Sequence, residues 1–297
     1  MSLALRPGTA LLRDQLDKTR QGLADAVRHR IAGPEFNDAH QEIWFSPGPR
    51  WFTEADPIWR VHADTSMFIG GIRALLLQSL HPVAMLGVSE NSGFRSDPWG
   101  RLHRTSRFLA TTTYGPIADA ERSIAIVRAI HRRVRGTTPS GEEYRADDPH
   151  LLGWIHAAEV DSFLASYRYF GAEPLTDEDA DTYVRQSGFL SAKLGVVDPP
   201  ETVAELEALL ADYRPELSMS PPALDAADLL LKDPPLSGPP KLGYGLLAAG
   251  AVSILPPWAR TAFSLPSLPA TDRIITRPLA RTALRTIRWA LSGASVG

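Results

Sequence analysis

An all-α fold, one large helical domain of about nine to eleven helices, is what this sequence predicts, and three observations predict it. Apolar residues recur at three- and four-residue steps along most of the chain, and no segment shows the period-two alternation of a half-buried strand. Helix-opening signals (Asp56-Pro57, Asp97-Pro98, Asp148-Pro149, Thr176) are spaced through it. Composition is that of an ordinary globular protein, 44% hydrophobic and 22% charged.

The elements follow in order. Residues 9–32 have helical spacing and end at Gly33-Pro34; residues 34–57 are loop-rich with Trp44, Trp51 and Phe52. A long apolar segment, IWRVHADTSMFIGGIRALLLQSLHP, reads as one helix buried nearly all round, which obliges Asp64, Arg73, Gln78 and His81 to find partners inside. VSENSGFRSDPWG reads as a loop, and the next helix stacks Arg101, Arg104, Thr105, Phe108 and Thr112 on one face. After the Gly115-Pro116 break, Ala120, Ile124, Val127, His131 and Val134 fall in one narrow sector, with Arg128 and Arg135 on its shoulder and Gly136 as the expected C-cap.

TTPSGEEYRADDP reads as a loop, and the helix after it turns Leu152, His156, Glu159, Phe163 and Tyr167 inward. Two more helices follow. The domain is expected to span residues 1–297, with its core over about 56–200, a proline-rich connector over 214–241 and C-terminal helices over 242–292. The last helix repeats Arg273, Arg277, Arg281, Arg285 and Arg288 at three- and four-residue steps. That stripe reads as a solvated face, with peripheral contact to anionic lipid headgroups as its functional alternative.

Several function classes lose ground. Net charge is −3, which argues against nucleic acid as a partner. The chain has no cysteine, so disulfides, Cys-ligated zinc, iron–sulfur clusters and a thiolate haem ligand are excluded. No secretory pattern opens the sequence and no uninterrupted apolar run reaches the ~18 residues of a spanning helix, so a cytoplasmic location is expected. The G-x-S-x-G, Walker A, H-E-x-x-H and G-x-G-x-x-G motifs are all missing.

Three constellations remain. His131 sits on an apolar stripe between two arginines, as a core histidine would, or as an axial haem ligand with Arg128 and Arg135 meeting propionates. Arg101, Arg104 and Thr105 are either a solvated face or the cationic and hydroxyl side of a cofactor pocket. His156 and Glu159, three residues apart, are a buried His–Glu pair or, with His131, a two-His, one-carboxylate site for non-haem iron.

LLLQSLHPVAMLGVSENSGFRSDPWGRLHRT, RAIHRRVRG and WIHAAEVDSFL together resemble the DUF2236 domain of MpaB-type oxygenases and latex-clearing rubber oxygenases. The likeness is close over about Asp56–Pro200 and in helix order elsewhere. It implies a globin-like, all-α haem b protein that oxidises a hydrophobic, prenyl-type substrate with dioxygen, by oxidation or C=C cleavage. It also implies that His131 is the axial ligand, with Arg101 and Thr105 on the dioxygen side and Arg104 where rubber oxygenases carry lysine. Those enzymes place an acid where this chain has Met85, which leaves Glu90 as the nearest substitute and speaks against polyisoprene as substrate. The remaining alternatives are the non-haem iron site and a non-catalytic haem, lipophilic-ligand or scaffold protein.

Overall fold

The computed structural model describes residues 7–33 and 36–292, without the side chains of 7–13, 31–32, 36–40 and 239. It is all-α apart from one short hairpin. The helices are α1 (Pro7–Ala32), α2 (Phe36–Phe45), α3 (Pro57–Ala63), α4 (Met67–Ser79), α5 (Pro82–Asn91), α6 (Pro98–Tyr114), α7 (Ile117–His131), α8 (Pro149–Phe170), α9 (Asp177–Leu194), α10 (Val203–Asp212), α11 (Pro221–Leu231), α12 (Pro239–Ser253), α13 (Pro257–Ala262), α14 (Pro269–Thr271) and α15 (Arg277–Ser292). A 3₁₀ turn, Arg214–Glu216, follows α10, and a π-helical turn, Asp272–Thr276, leads into α15.

The chain is cut into more and shorter helices than its periodicity suggests, because prolines open so many of them. Pro57, Pro82, Pro98, Pro149, Pro221 and Pro257 each occupy a first helical position, where a missing N–H costs nothing. Side-chain caps complete several starts. Asp97 accepts from Gly100 N, Asp148 from His150 N, and Thr176 makes a reciprocal capping box with Asp179.

α4 is the centre of the core, with α8 against one side and α11 and α12 against others. Its two close approaches depend on glycine. A Cβ on Gly70 would stand 2.8 Å from Phe163 Cδ1 and 3.3 Å from Phe163 Cα; one on Gly250 would stand 2.8 Å from Ala280 Cβ and 2.9 Å from Ile69 Cδ1. Leu76, Leu77, Leu80, Trp154 and Ala251 fill the space between.

Arg73 and Gln78 of α4 find partners inside, while Thr65 Oγ1, Ser66 Oγ and His81 Nε2 have no hydrogen bond among the described residues. Arg73 Nη1 pairs with Asp161 at 2.6 Å and donates to Ser162 Oγ, and its Nε donates to Ile254 O. Gln78 Nε2 donates to Ile155 O, while Trp154 Nε1 donates to Gln78 O.

Four expectations need correction. The long apolar segment is two helices, broken at Asp64, whose carboxylate accepts from Ser66 N, Ala172 N and Arg288 Nη2. Three donors at one carboxylate outweigh helical continuity there. Residues 82–91, partly assigned to a loop, form α5. α7 stops at His131, and Gly136 is not its cap; it lies in β1 (Arg135–Thr137), which pairs antiparallel with β2 (Glu143–Arg145) under the Tyr144 ring.

Last, the arginines of α15 are not simply a solvated face. Arg277 donates to Ser253 O, Arg281 to Tyr169 O, and Arg288 binds Asp64, so long side chains pin the helix to the body of the protein. No single described helix is long and apolar enough to cross a membrane; α4 and α5 together have the length but meet at a 110° bend.

Candidate active site

The α6–α7 hairpin carries Arg101, Arg104, Thr105 and His131. α6 packs on α1, α2, α3 and α7, and α7 packs on α6 and α9. Neither makes an extended packing contact with α4 or α8, so the hairpin stands off from the central pair. Ala120 and Ile124 are buried, whereas Val127, His131 and Val134 farther along the same stripe are only half-buried.

His131 is the last residue of α7. Its Nδ1 is enclosed and has no hydrogen-bond partner among the described residues. Burial lowers its pKa, and the nearby Asp147 charge opposes that shift. Asp147 Oδ1 is likewise enclosed without a hydrogen bond, with Arg145 Nε at 3.4 Å as an ion-pair contact. Arg128 and Arg135 are exposed; Arg128 Nη1 reaches Lys193 O at 3.5 Å and Arg135 Nε reaches Arg132 O at 3.3 Å.

Arg101 is half-buried and lines a recess with Leu75, Gln78, Met85, Ile155 and Leu230. Desolvation lowers its pKa, and the neighbouring Arg104 charge adds to the effect. The recess holds about 20 Å³, room for about one water. Met85, at the position where an acid was sought, is a wall of this recess. Glu90 is not among the residues lining the recess; its carboxylate accepts from Tyr144 OH of β2 at 2.7 Å.

Arg104 does not join Arg101 in the recess. It is exposed and pairs with Asp97 at 3.3 Å, across its own helix start. Thr105 is exposed and its hydroxyl donates to Arg101 O.

His156 and Glu159 face inward from α8, but the expected His–Glu bond is not made through His156 Nε2, which has no partner among the described residues. Burial drops the His156 pKa to about 4 and lifts that of Glu159 to about 7. Glu159 keeps partial surface access. His131, His156 and Glu159 are not gathered as a metal triad. α7 leans on α6 and α9, which leaves His131 away from the inner face of α8. Among the described residues, the three-residue His/Asp/Glu group whose ligand atoms all lie within 4.8 Å is a different one: His81, His150 and Glu216.

One interior histidine had no signal in the sequence. His62 Nδ1 lies 2.9 Å from Thr113 Oγ1 and its Nε2 lies 3.4 Å from Tyr183 OH, with burial lowering its pKa to about 4. Glu159 is close enough for its charge to raise the Tyr183 pKa. His62 thus links α3 to Thr113 of α6 and Tyr183 of α9.

Residues 59–289 match the model of the family described as ER-bound oxygenase mpaB/B'/Rubber oxygenase, catalytic domain. The chain belongs to that family of oxygenase catalytic domains. No curated protein and no solved structure matches it.

Proposed function

We propose that this chain is a haem b-dependent oxygenase acting with dioxygen on a hydrophobic, prenyl-type substrate. The observation that carries the proposal is His131, an imidazole on an apolar stripe at the end of a helix that stands off from the core, in a member of an oxygenase family. The donor set suits haem: an imidazole is present, no cysteine competes, and a metal-bound imidazole requires a partner for its second nitrogen. Asp147, whose charge His131 feels, is the carboxylate at hand for Nδ1–H.

Haem, when bound, supplies the iron at which dioxygen is activated. The rest of the chemistry belongs to the chain. Arg101, desolvated in its recess, would offer a fixed positive charge to negative charge developing on oxygen, worth more there than in water. Thr105 adds a hydroxyl one turn along. Arg128 and Arg135 flank His131 and suit propionate carboxylates. Leu75, Met85, Ile155 and Leu230 give the recess beside Arg101 an apolar wall, the surface chemistry that suits a hydrocarbon chain.

Oxidative cleavage of one C=C bond by one O2 yields two carbonyl groups and needs no external reductant. The test is oxygen uptake by the haem-loaded chain given a farnesyl compound, with carbonyl products counted. Uptake with carbonyl formation, lost in Arg101→Ala while haem stays bound, is expected. A haem-loaded protein that consumes no oxygen with prenyl substrates would overturn the reading.

A further inference from the structure

We propose that His81, His150 and Glu216 form a separate site for a divalent transition-metal cation, zinc foremost, which clamps three segments of the fold together. The reading is independent of haem. His81 is the N-cap of α5, His150 lies in the first turn of α8, and Glu216 ends the 3₁₀ turn after α10. His150 Nε2 lies 2.8 and 3.0 Å from the two Glu216 oxygens, and His81 Nε2 lies 3.4 Å from Glu216 Oε2.

Ligands around a tetrahedral zinc stand about 3.3 Å apart, from metal–ligand distances of about 2.0–2.1 Å. Glu216 stands close to that spacing from each imidazole, and the ligand atoms of all three side chains lie within 4.8 Å of one another, so small side-chain adjustments bring them onto one ion.

A hydrogen-bonded trio is the rival account, and His81 decides against it. Its side chain is 5% exposed, and its Nε2 is enclosed and lacks a satisfactory hydrogen bond while aimed at the cluster. An enclosed polar nitrogen left without a bond is costly in a finished network and ordinary in a ligand set without its ion. Its other nitrogen receives only a long 3.4 Å contact from Ala84 N, little to give up when Nε2 binds a cation.

Other bonds hold the arrangement open. Tyr213 OH donates to His150 O at 2.6 Å, Ser218 N donates to Leu80 O at 2.8 Å, and Tyr213 packs 4.7 Å from the His150 ring. The neighbouring charges are turned elsewhere: Asp148 caps α8 and Arg214 lies over Trp258. His150 and Glu216 are 56% and 42% exposed, which gives the ion a path in and leaves the fourth position to water. Two histidines and one carboxylate suit zinc better than calcium or magnesium, which prefer oxygen. A bound ion would fix the first turn of α8 to the α4–α5 corner, three residues from Asp147.

The test is zinc titration of the untagged, chelator-washed full chain by calorimetry, alongside thermal unfolding with and without zinc. One zinc per chain and a melting point raised by several degrees are expected. His150→Ala and Glu216→Gln, both at exposed positions that the fold tolerates, should each weaken binding at least 30-fold and abolish the melting shift. His131→Ala and His156→Ala should leave both intact. Absence of binding to the wild type, or binding weakened less than threefold by the first two variants, would overturn the proposal.

Discussion

Replacing Glu159 by Gln tests how the interior of α8 handles charge. The Glu159 carboxyl is held at about 7 against an ordinary 4.5, with burial as the cause. Below about pH 4.5 it is protonated in folded and unfolded chains alike and has no effect on stability. Between 4.5 and 7 the unfolded chain loses the proton and the folded chain keeps it, so stability falls as pH rises. Above 7 the full penalty is present, ~3 kcal/mol from the difference between those two values. Partial solvent access brings the figure to roughly 2–3 kcal/mol.

His62 and His156, both lowered to about 4 by burial, act in the opposite direction. The folded chain resists their protonation, so stability is lost as pH falls from 6.5 towards 4. The wild-type profile mixes these slopes, and the difference between wild type and Glu159→Gln isolates the carboxylate. Urea unfolding of the haem-free chain at pH 4.5, 6, 7 and 8 should show the variant equal at 4.5 and more stable by about 2 kcal/mol at 8. A variant no more stable than wild type at pH 8, or a difference that does not vary with pH, would refute the reasoning.

Two further substitutions probe what holds α15 to the body of the protein and what lets α4 meet α8. Arg288→Ala strips the guanidinium from Asp64, whose side chain is 7% exposed, and should cost about 2–3 kcal/mol in denaturant unfolding. Gly70→Ala forces a methyl against Phe163 and its backbone; overpacking of about 1–3 kcal/mol against a helix-propensity gain of about 1 leaves a net loss, read as a lower melting temperature.

Much of the helical framework was legible because its signals are local. The Asp-Pro starts at 97–98 and 148–149 and the Thr176 cap mark real helix ends. Ala120 and Ile124 are buried as a 100° repeat requires, and Arg73 found the internal partners that its apolar surroundings demand. The α3–α4 break was not legible, since nothing in HADTSM stops a helix until Arg288 and Ala172 arrive from far along the chain. Strands of three residues are too short to show alternation, which hid the hairpin at 135–145. The direction of the α15 arginines depends on Tyr169, Ser253 and Asp64, none near them in sequence.

The candidate site divides along the same line. Histidine on an apolar stripe was readable, and so was the family likeness. That Arg104 turns away to Asp97, that His156 and Glu159 fail to pair, and that His81, His150 and Glu216 converge from three segments are tertiary facts. The last has no spacing signature, with a sequence separation of 66 between His150 and Glu216 alone.

The central claim is that His131 holds haem. The most direct measurement is the absorption spectrum of the haem-reconstituted chain beside that of His131→Ala prepared identically, with circular dichroism confirming that both are folded. The account predicts one haem per wild-type chain with a sharp Soret band, and loss or displacement of that band in the variant. A folded wild type without a Soret band, or superimposable spectra from the two proteins, would contradict it.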